Sequence, residues 1–213
     1  MRIGVLGGTF DPIHIGHLVA AEEVGVRQAL ERVVFVPAGL PPHKLHLHVT
    51  PVRHRLNMVQ LAIADNPRFV FSRVEIDRFG PSYTVDTVQL LRDEYGSKVE
   101  LYFIMGADSL AELVTWHKPA QLIRLCRIVA LTRPGYQVDM EELDRLLPGA
   151  MARVQLLEMP PLQISSSDLQ RRVRMGLPIK YLVLPAVEAY IYQHELYQQE
   201  PVKSKERGSK EKD

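Results

Sequence analysis

Residues 7–17 read Gly7-Gly8-Thr9-Phe10-Asp11-Pro12-Ile13-His14-Ile15-Gly16-His17, and they lie between an apolar run, Ile3 to Leu6, and a helical pattern from Leu18 to Leu30. The segment therefore marks the turn from a first strand into a first helix, which in open α/β sheets lies where ligands bind. Glycines let a backbone come close to a ligand. A helix N-terminus offers free N–H groups and a positive dipole end to an anion. The two histidines, three residues apart, share one face of a helical turn, so the segment predicts a phosphate site.

Apolar strand patterns alternate with helical patterns along the rest of the chain. Strand candidates lie at 3–6, 33–36, 69–74, 99–105, 128–131 and 154–158. Continuous runs of this kind fit strands that are buried on both faces of a parallel sheet, and the alternation implies βαβ units. We therefore predict an α/β fold of the Rossmann-like, doubly wound type, with a mainly parallel sheet and helices on both faces. One domain is expected over residues 1–198, followed by a disordered charged tail over 199–213, whose composition cannot bury a core.

The bulk composition excludes several classes of partner. The 213 residues carry 26 Lys and Arg against 25 Asp and Glu, so the net charge is +1, which provides no global field for nucleic acid or an anionic membrane. The single cysteine, Cys126, is expected to be a buried apolar side chain. Because the sequence has no signal-peptide pattern and no apolar run of membrane-spanning length, we expect a cytoplasmic protein. Whether it is a monomer or a homo-oligomer stays open.

The 7–17 segment does not match the common nucleotide and zinc motifs. The chain has no Gly-Lys-Ser/Thr of a P-loop, no Gly-x-Gly-x-x-Gly fingerprint and no His-Glu-x-x-His. The two histidines also have no cysteine or acidic partner at metal spacing, so we expect no zinc.

Two segments resemble the signatures of the HxGH nucleotidyltransferases. Gly8 to His17 is similar to the first signature, and Ile164-Ser165-Ser166-Ser167 resembles the second, which usually reads Ile-Ser-Ser-Thr-x-Ile-Arg. The two segments have the order and the wide separation of the family. These enzymes transfer a nucleotidyl group from ATP or CTP to a phosphate or similar acceptor.

Further segments narrow the resemblance to bacterial nicotinate-nucleotide adenylyltransferases. They are Pro41-Pro42-His43-Lys44, Ser82-Tyr83-Thr84-Val85-Asp86-Thr87, Gly106-Ala107-Asp108 with Trp116-His117-Lys118, and Lys180-Tyr181-Leu182-Val183. The resemblance implies a nucleotidyltransferase domain over residues 1–198. Its substrates would be ATP and nicotinate mononucleotide, and its products deamido-NAD and pyrophosphate. The alternatives are an HxGH transferase acting on nicotinamide mononucleotide, phosphopantetheine or another small phosphate ester, and a catalytically silent nucleotide-binding module.

The resemblance implies roles on the ATP side. His14 and His17 would act on the ATP phosphates and the transition state, and Lys44 would add positive charge from a proline-bounded loop. Mg²⁺ is expected to bind through the phosphates, with no metal site on the protein. The remaining cradle for ATP would consist of Gly7, Gly8, Thr9, Phe10 and Gly16.

The second signature is expected at the far end of the triphosphate. Ser165, Ser166 and Ser167 would open a helix toward the β- and γ-phosphates, with simple N-capping as the alternative role for a serine. The arginine of the family falls on Gln170, so either the neighbouring Arg171 takes over its contact or the contact is weaker. On the ATP side the resemblance also implies Gly106 and Asp108, the latter holding ribose hydroxyls or a local turn.

Four residues are implied in binding the acceptor. Trp116 would stack on the pyridine ring, and Tyr83 and Thr84 would offer backbone N–H groups to the nicotinate carboxylate. A carboxylate needs only donors, whereas a carboxamide needs a donor and an acceptor, so this loop is expected to set selectivity. Arg133, at the end of a strand, would meet a phosphate.

Overall fold

Strands and helices alternate in the computed structural model, which describes residues 1–39, 49–133, 135, 137–160 and 162–198. The strands are β1 (Arg2–Gly8), β2 (Arg32–Pro37), β3 (Phe69–Phe71), β4 (Glu100–Gly106), β5 (Arg127–Thr132) and β6 (Val154–Glu158). The α-helices are α1 (Ile15–Arg27), α2 (Val52–Ile63), α3 (Thr84–Tyr95), α4 (Ala107–Ala111), α5 (Pro119–Leu125), α6 (Met140–Leu146), α7 (Ala150–Arg153), α8 (Ser166–Arg174) and α9 (Pro185–Gln193).

The strands form one parallel sheet in the order β3-β2-β1-β4-β5-β6. Leu6 of β1 lies opposite Phe35 of β2 on one side and Ile104 of β4 on the other. The strand order reverses between β1 and β4, and doubly wound sheets bind ligands in the crevice at the carboxyl ends of such strands. The predicted α/β fold is confirmed.

Alternate side chains of the strands enter two separate cores. Val5 and Phe103 belong to the core beneath α3 to α7, whereas Leu6 and Ile104 belong to the core beneath α1, α2, α8 and α9. Successive side chains of a strand point to opposite faces, so both faces of the sheet are covered by helices. Because helices cover both faces, a ligand-binding site is expected at the carboxyl edge of the sheet.

The structure differs from the predicted strands after β2. The third strand was expected to reach Val74 but ends at Phe71, because the Ile76 and Asp77 N–H groups turn back onto the Arg73 carbonyl. The short helix α4 follows β4 directly, and its five residues are too few to show helical periodicity in the sequence. Trp116 is extended after a single 3-10 turn, Leu113–Thr115.

Two predictions concern residues outside the described ranges. Lys44 lies within 40–48, and the predicted charged tail is 199–213. Within the described ranges, no helix is both long and apolar enough to cross a membrane.

Candidate active site

Two cavities lie at the carboxyl ends of β1 and β4, and both are lined by Gly7, Phe103 and Trp116. The first has a volume of about 560 Å³ and the second about 380 Å³, which is the size of small-molecule sites. Gly8 and Thr9, which the resemblance implies for the phosphate cradle, line the first cavity, and the two histidines line the second. The crevice at the switch point therefore has room for two adjoining ligands.

Residues 9–12, here called the 9–12 turn, connect β1 to the start of α1. Phe10 has a left-handed φ of +49° and is buried. Its ring lies beneath Gly8, where an added Cβ would come within 3.1 Å of it. Left-handed backbone is unfavourable for a bulky residue and persists only where its surroundings enforce it. Phe10 lines neither cavity, so its role in the structure is to shape the turn from below.

Buried polar groups fix the backbone of the 9–12 turn. The Arg55 guanidinium, 2% exposed, donates to the Thr9 carbonyl oxygen at 2.8 Å and to the Thr50 carbonyl oxygen at 3.0 Å. The Asp11 carboxylate, 5% exposed, accepts the Thr50 N–H at 2.9 Å. Opposite charges thus bridge the turn to the same residue, Thr50, from two directions.

Helix α8 holds the same turn from its other side. The Ser166 hydroxyl donates to the Pro12 carbonyl oxygen at 2.9 Å, and the Gln170 amide donates to the Asp11 carbonyl oxygen at 2.7 Å. Gln170, which stands where the family has an arginine, therefore binds the backbone of the 9–12 turn. The Gln170 side chain thus links the second signature to the first through a hydrogen bond between neutral groups.

The other residues of the second signature lie at the surface. The exposed Ser165 caps α8 by accepting the Asp168 N–H at 3.2 Å, which is the capping role considered for a serine, and Ser167 is also exposed. Arg171 pairs with Asp168 at 2.6 Å. Among these residues only Ile164 lines a cavity, the second one. The structure does not bring Ser165, Ser167 or Arg171 to the cavity walls, so their contacts with ATP stay predictions.

The two histidines form one stacked unit beside the second cavity. His14 occupies the N-cap of α1 and His17 its third residue, with ring centroids 3.7 Å apart and ring planes 27° apart. The His14 backbone N–H donates to His17 Nδ1 at 3.2 Å. Because an N–H donor must meet a lone pair, the proton of neutral His17 lies on Nε2, where it is available as a donor.

His14 carries a buried ring nitrogen that has no partner among the described residues. This atom, Nδ1, lies 3.0 Å from where a Cβ on Gly16 would stand. Buried polar atoms are nearly always hydrogen-bonded in folded proteins, so an unpartnered one at a cavity wall indicates a ligand. The glycine between the histidines thus makes room for the His14 ring itself, in addition to the space it leaves for a ligand.

Burial favours the neutral form of both imidazoles. It lowers the pKa of His14 to about 4, and it lowers the pKa of His17 well below its usual value, with the neighbouring His14 acting in the same direction. The pair therefore offers neutral hydrogen-bond donors to an incoming ligand, and a bound polyanion would raise both pKa values by favouring the charged forms.

These pKa values predict a loss of stability in mild acid. An unfolded histidine takes up a proton near pH 6.5, whereas folded His14 does so only near pH 4; the unfolded state therefore binds more protons between these pH values, and stability falls as pH falls. We expect His14 to contribute on the order of 3 kcal/mol to this fall. Urea unfolding at pH 7 and pH 4.5 measures it against His14→Asn, whose amide does not titrate and is favourable at an N-cap. Equal pH slopes in the two proteins would contradict the prediction.

Aromatic rings line the first cavity. The Trp116 ring lies edge-on to Phe103, with centroids 6.1 Å apart, and the rings of Tyr83 and His117 stack at 4.3 Å. Thr84 begins α3, whose first N–H groups have no partner within the helix. The Tyr83 N–H donates to the Pro81 carbonyl oxygen at 3.0 Å, and the Asp86 and Thr87 N–H groups donate to the Tyr83 carbonyl oxygen at 3.1 and 3.2 Å. The donors left for a carboxylate at the start of α3 are therefore the N–H groups of Thr84 and Val85. A flat aromatic ring bearing an anionic group fits this combination.

A buried carboxyl group stands behind the first cavity. Glu75, 8% exposed, accepts the Thr87 hydroxyl at 2.7 Å, and burial raises its pKa. The Ser82 hydroxyl accepts the Gly39 N–H at 3.2 Å and also interacts with Glu75. Glu75 therefore ties the loop before α3 to the end of β2.

Residues after β4 and β5 complete the walls. Gly106 and Ser109 line the second cavity, whereas Asp108 is exposed in the first turn of α4 and lines neither cavity. Arg133, just beyond β5, is exposed and lines the second cavity. Lys118 lines the first cavity. Cationic side chains thus stand at both cavities.

Several site residues were missed by the sequence reasoning. His117 and Lys118 directly follow Trp116 in the quoted segment, and this position next to a predicted site residue could have indicated both of them. Asp11 lies between apolar residues of the first signature, and this position could have indicated a buried carboxylate that needs hydrogen-bond donors. Glu75 and Arg55 gave no signal, because their partners lie elsewhere in the chain.

Comparisons with known proteins agree with this architecture. A family model described as cytidylyltransferase-like matches residues 5–172. A protein of Moorella thermoacetica, named "Probable nicotinate-nucleotide adenylyltransferase", is 52% identical over 198 residues, covering 92% of this chain and 91% of the relative. A Roseiflexus protein with the same name is 51% identical over 195 residues, covering 92% of this chain and 97% of the relative.

A solved structure shares the fold. It is described as Plasmodium falciparum nicotinic acid mononucleotide adenylyltransferase complexed with NaAD, and it superposes with a TM-score of 0.74 at 22% identity, covering 92% of this chain and 97% of that one. The family model spans most of the chain, and the relatives are about half identical over more than nine-tenths of it. The chain therefore belongs to the cytidylyltransferase-like family and, within it, to the nicotinate-nucleotide adenylyltransferases.

Proposed function

We propose that this protein transfers the adenylyl group of ATP to nicotinate mononucleotide, giving deamido-NAD and pyrophosphate, a step of NAD biosynthesis. The observation that carries the proposal is the pair of adjoining cavities at the β1–β4 switch point, one beside the stacked histidines and one beside Trp116 and the start of α3. The relatives of about 50% identity are named for this reaction.

The proposed reaction is a direct displacement. The phosphate of the acceptor attacks the α-phosphorus of ATP, the bond to pyrophosphate breaks on the opposite side, and its electrons leave with pyrophosphate. Such a transfer depends on positioning and on charge stabilisation rather than on a protein nucleophile. The one described cysteine, Cys126, is buried and burial raises its pKa to about 12, so its thiol is not an alternative nucleophile.

We assign His17 Nε2–H and the His14 ring to the ATP phosphates, together with the backbone of Gly7 to Thr9. Trp116 and Thr84 are assigned to the pyridine ring and its carboxylate, and Arg133 to a phosphate. Lys44, which lies outside the described residues, is proposed from its motif alone to add positive charge.

Mg²⁺ is proposed as a cofactor that arrives on the triphosphate. Among the described residues, no group of three or more His, Cys, Asp and Glu side chains could hold a metal ion. No Asp or Glu among the described residues lines the second cavity, and Mg²⁺ prefers oxygen ligands and retains water. When bound, the ion would neutralise phosphate charge, and the protein residues would supply orientation and hydrogen bonds.

The choice of acceptor tests the function. We expect pyrophosphate release to be fastest with nicotinate mononucleotide, because the N–H groups at the start of α3 favour a carboxylate over a carboxamide by an order of magnitude or more. The assay compares kcat/KM for nicotinate mononucleotide, nicotinamide mononucleotide and phosphopantetheine at saturating Mg-ATP. A severalfold preference for either of the other acceptors would overturn the assignment.

The stereochemistry at phosphorus tests the mechanism. With ATP chirally labelled at the α-phosphorus, a single displacement inverts the configuration, whereas a covalent adenylyl-enzyme requires two displacements and retains it. We expect inversion, and no radiolabelled adenylyl group on protein incubated with ATP alone. Net retention would refute direct attack while leaving the identity of the acceptor untouched.

A further inference from the structure

The end of the described chain returns to the 9–12 turn. After α9 ends at Gln193, the Leu196 N–H donates to the Ile191 carbonyl oxygen at 3.0 Å and turns the chain back over α2. The Tyr197 hydroxyl then donates to Asp11 Oδ1 at 2.6 Å. These two residues are 186 positions apart in the sequence, so this bond fastens the last described turn to the first signature.

We propose that Tyr197 is a positioning residue of this enzyme, which holds the 9–12 turn in its active conformation through the carboxylate of Asp11. The inference rests on the proposed function, since it concerns how the phosphate cradle is kept in place. Tyr197 lines neither cavity and reaches the 9–12 turn through its hydrogen bond to Asp11.

The surroundings of Asp11 make this hydrogen bond consequential. One carboxylate oxygen accepts the Thr50 N–H and the other accepts the Tyr197 hydroxyl, in a place where Asp11 is 5% exposed. A buried carboxylate that loses a donor keeps its desolvation cost without compensation. Burial and the neighbouring carboxylate raise the pKa of Tyr197, so the hydroxyl keeps its proton and remains a donor.

Backbone strain occurs at both ends of this contact. Tyr197 has a left-handed φ of +63°, and Phe10, next to Asp11, has one of +49°. Such conformations in bulky residues persist where the surrounding structure imposes them, and they cluster at functional sites. If the Asp11 carboxylate swings away, Phe10 and the adjoining His14 backbone N–H lose the support that orients His17.

The test compares two tyrosine-to-phenylalanine changes in the C-terminal segment. Tyr197→Phe removes the hydroxyl on Asp11. Tyr190→Phe is the matched control, because its hydroxyl contacts His54 Nδ1 at 3.0 Å and the Asn57 amide at 2.9 Å, and so holds α9 to α2 without touching Asp11. For Tyr197→Phe we expect kcat to fall about tenfold, with the KM for nicotinate mononucleotide within about twofold of the original protein. For Tyr190→Phe we expect kcat within about twofold, whatever its effect on melting temperature.

A spectroscopic measurement separates positioning from loss of stability. The ¹⁵N shift of His17 Nδ1, which reports the hydrogen bond from His14, is expected to move in Tyr197→Phe and not in Tyr190→Phe. Asp11→Asn, whose single amide oxygen cannot satisfy both donors, is the substitute variant if Tyr197→Phe does not fold, with the same expected changes.

Either of two results would overturn the proposal: an unchanged kcat and His17 spectrum in Tyr197→Phe, or equal losses in the two tyrosine variants. Failure of the proposed function looks different, because the unsubstituted protein would then release no pyrophosphate with nicotinate mononucleotide. In that case the His17 spectrum still decides whether Tyr197 positions the turn.

Discussion

His17→Ala is expected to reduce kcat by about 10²–10³-fold while the protein stays folded, because it removes a donor that is already oriented before the reaction. The His14 N–H fixes the tautomer of His17, and the ring is held between the His14 ring and the edge of Phe10 at 5.1 Å. Negative charge develops on the departing pyrophosphate as its bond to the α-phosphorus breaks, so the loss of a donor is expected mainly in kcat. Steady-state pyrophosphate release, with circular dichroism for folding, measures it.

His54→Ala is the matched control for that variant. His54 lies on α2, contacts the rings of Tyr190 and His194, and also has a lowered pKa, caused first by burial. Its loss removes ring and hydrogen-bond contacts of a similar kind at a residue that lines neither cavity. We expect kcat within about twofold of the original protein. Comparable losses in the two variants would assign the effect to general loosening, and full activity of His17→Ala would remove His17 from the mechanism.

The strands, the helices and the position of the site could be predicted from local sequence. The hydrogen bonds that hold the 9–12 turn in place could not. Runs such as Val99 to Met105 predict buried parallel strands, and the glycines and histidines of 7–17 predict a site at the first strand–helix turn. The bonds that shape this turn join Arg55 to Thr9 across 46 positions and Tyr197 to Asp11 across 186. Local patterns specify helices, strands and caps, but they contain no information on which distant polar group fills a buried position.

At Gln170, too, the sequence does not identify the distant hydrogen-bond partner, although the residue lies within a recognised signature. Its position predicts a departure from the family at the triphosphate, but its partner, the Asp11 carbonyl oxygen, is found only in the folded chain. The resemblance likewise groups Ser165, Ser166 and Ser167, whereas the structure gives each a different environment: a helix cap, a bond to Pro12 and an exposed surface.

In the ligand-free site, neutral histidine side chains face the second cavity, and buried Arg55 and Asp11 side chains hold the backbone of the 9–12 turn. His14 and His17 are uncharged before the ligand arrives, so they present donors without repelling each other. The Arg55 guanidinium and the Asp11 carboxylate are buried, line neither cavity, and bond to backbone groups of Thr9 and Thr50. A bound triphosphate would favour the protonated forms of the two rings, while these buried groups hold the backbone of the 9–12 turn.

Gly16→Ala is expected to lower kcat about tenfold or more while leaving stability unchanged or increased, since displacements well under 1 Å suffice to misplace a catalytic group. The new Cβ would stand 3.0 Å from His14 Nδ1 and 3.1 Å from its Cε1. The His14 ring must therefore move, and the stacked His17 ring at 3.7 Å limits where it can go. Alanine in place of a helical glycine adds about 1 kcal/mol of helix propensity, which offsets the strain.

Gly25→Ala, in the same helix, is the matched control for Gly16→Ala. There the new Cβ would lie 3.7 Å from Val33 Cγ2, an ordinary packing distance. We expect a gain of about 0.5–1 kcal/mol in unfolding free energy with unchanged kcat. If Gly16→Ala also kept full activity, the position of the His14 ring would not matter to the reaction. A loss confined to Gly16→Ala, with both variants at least as stable as the original protein, would show that Gly16 is required for the chemistry and not for the helix.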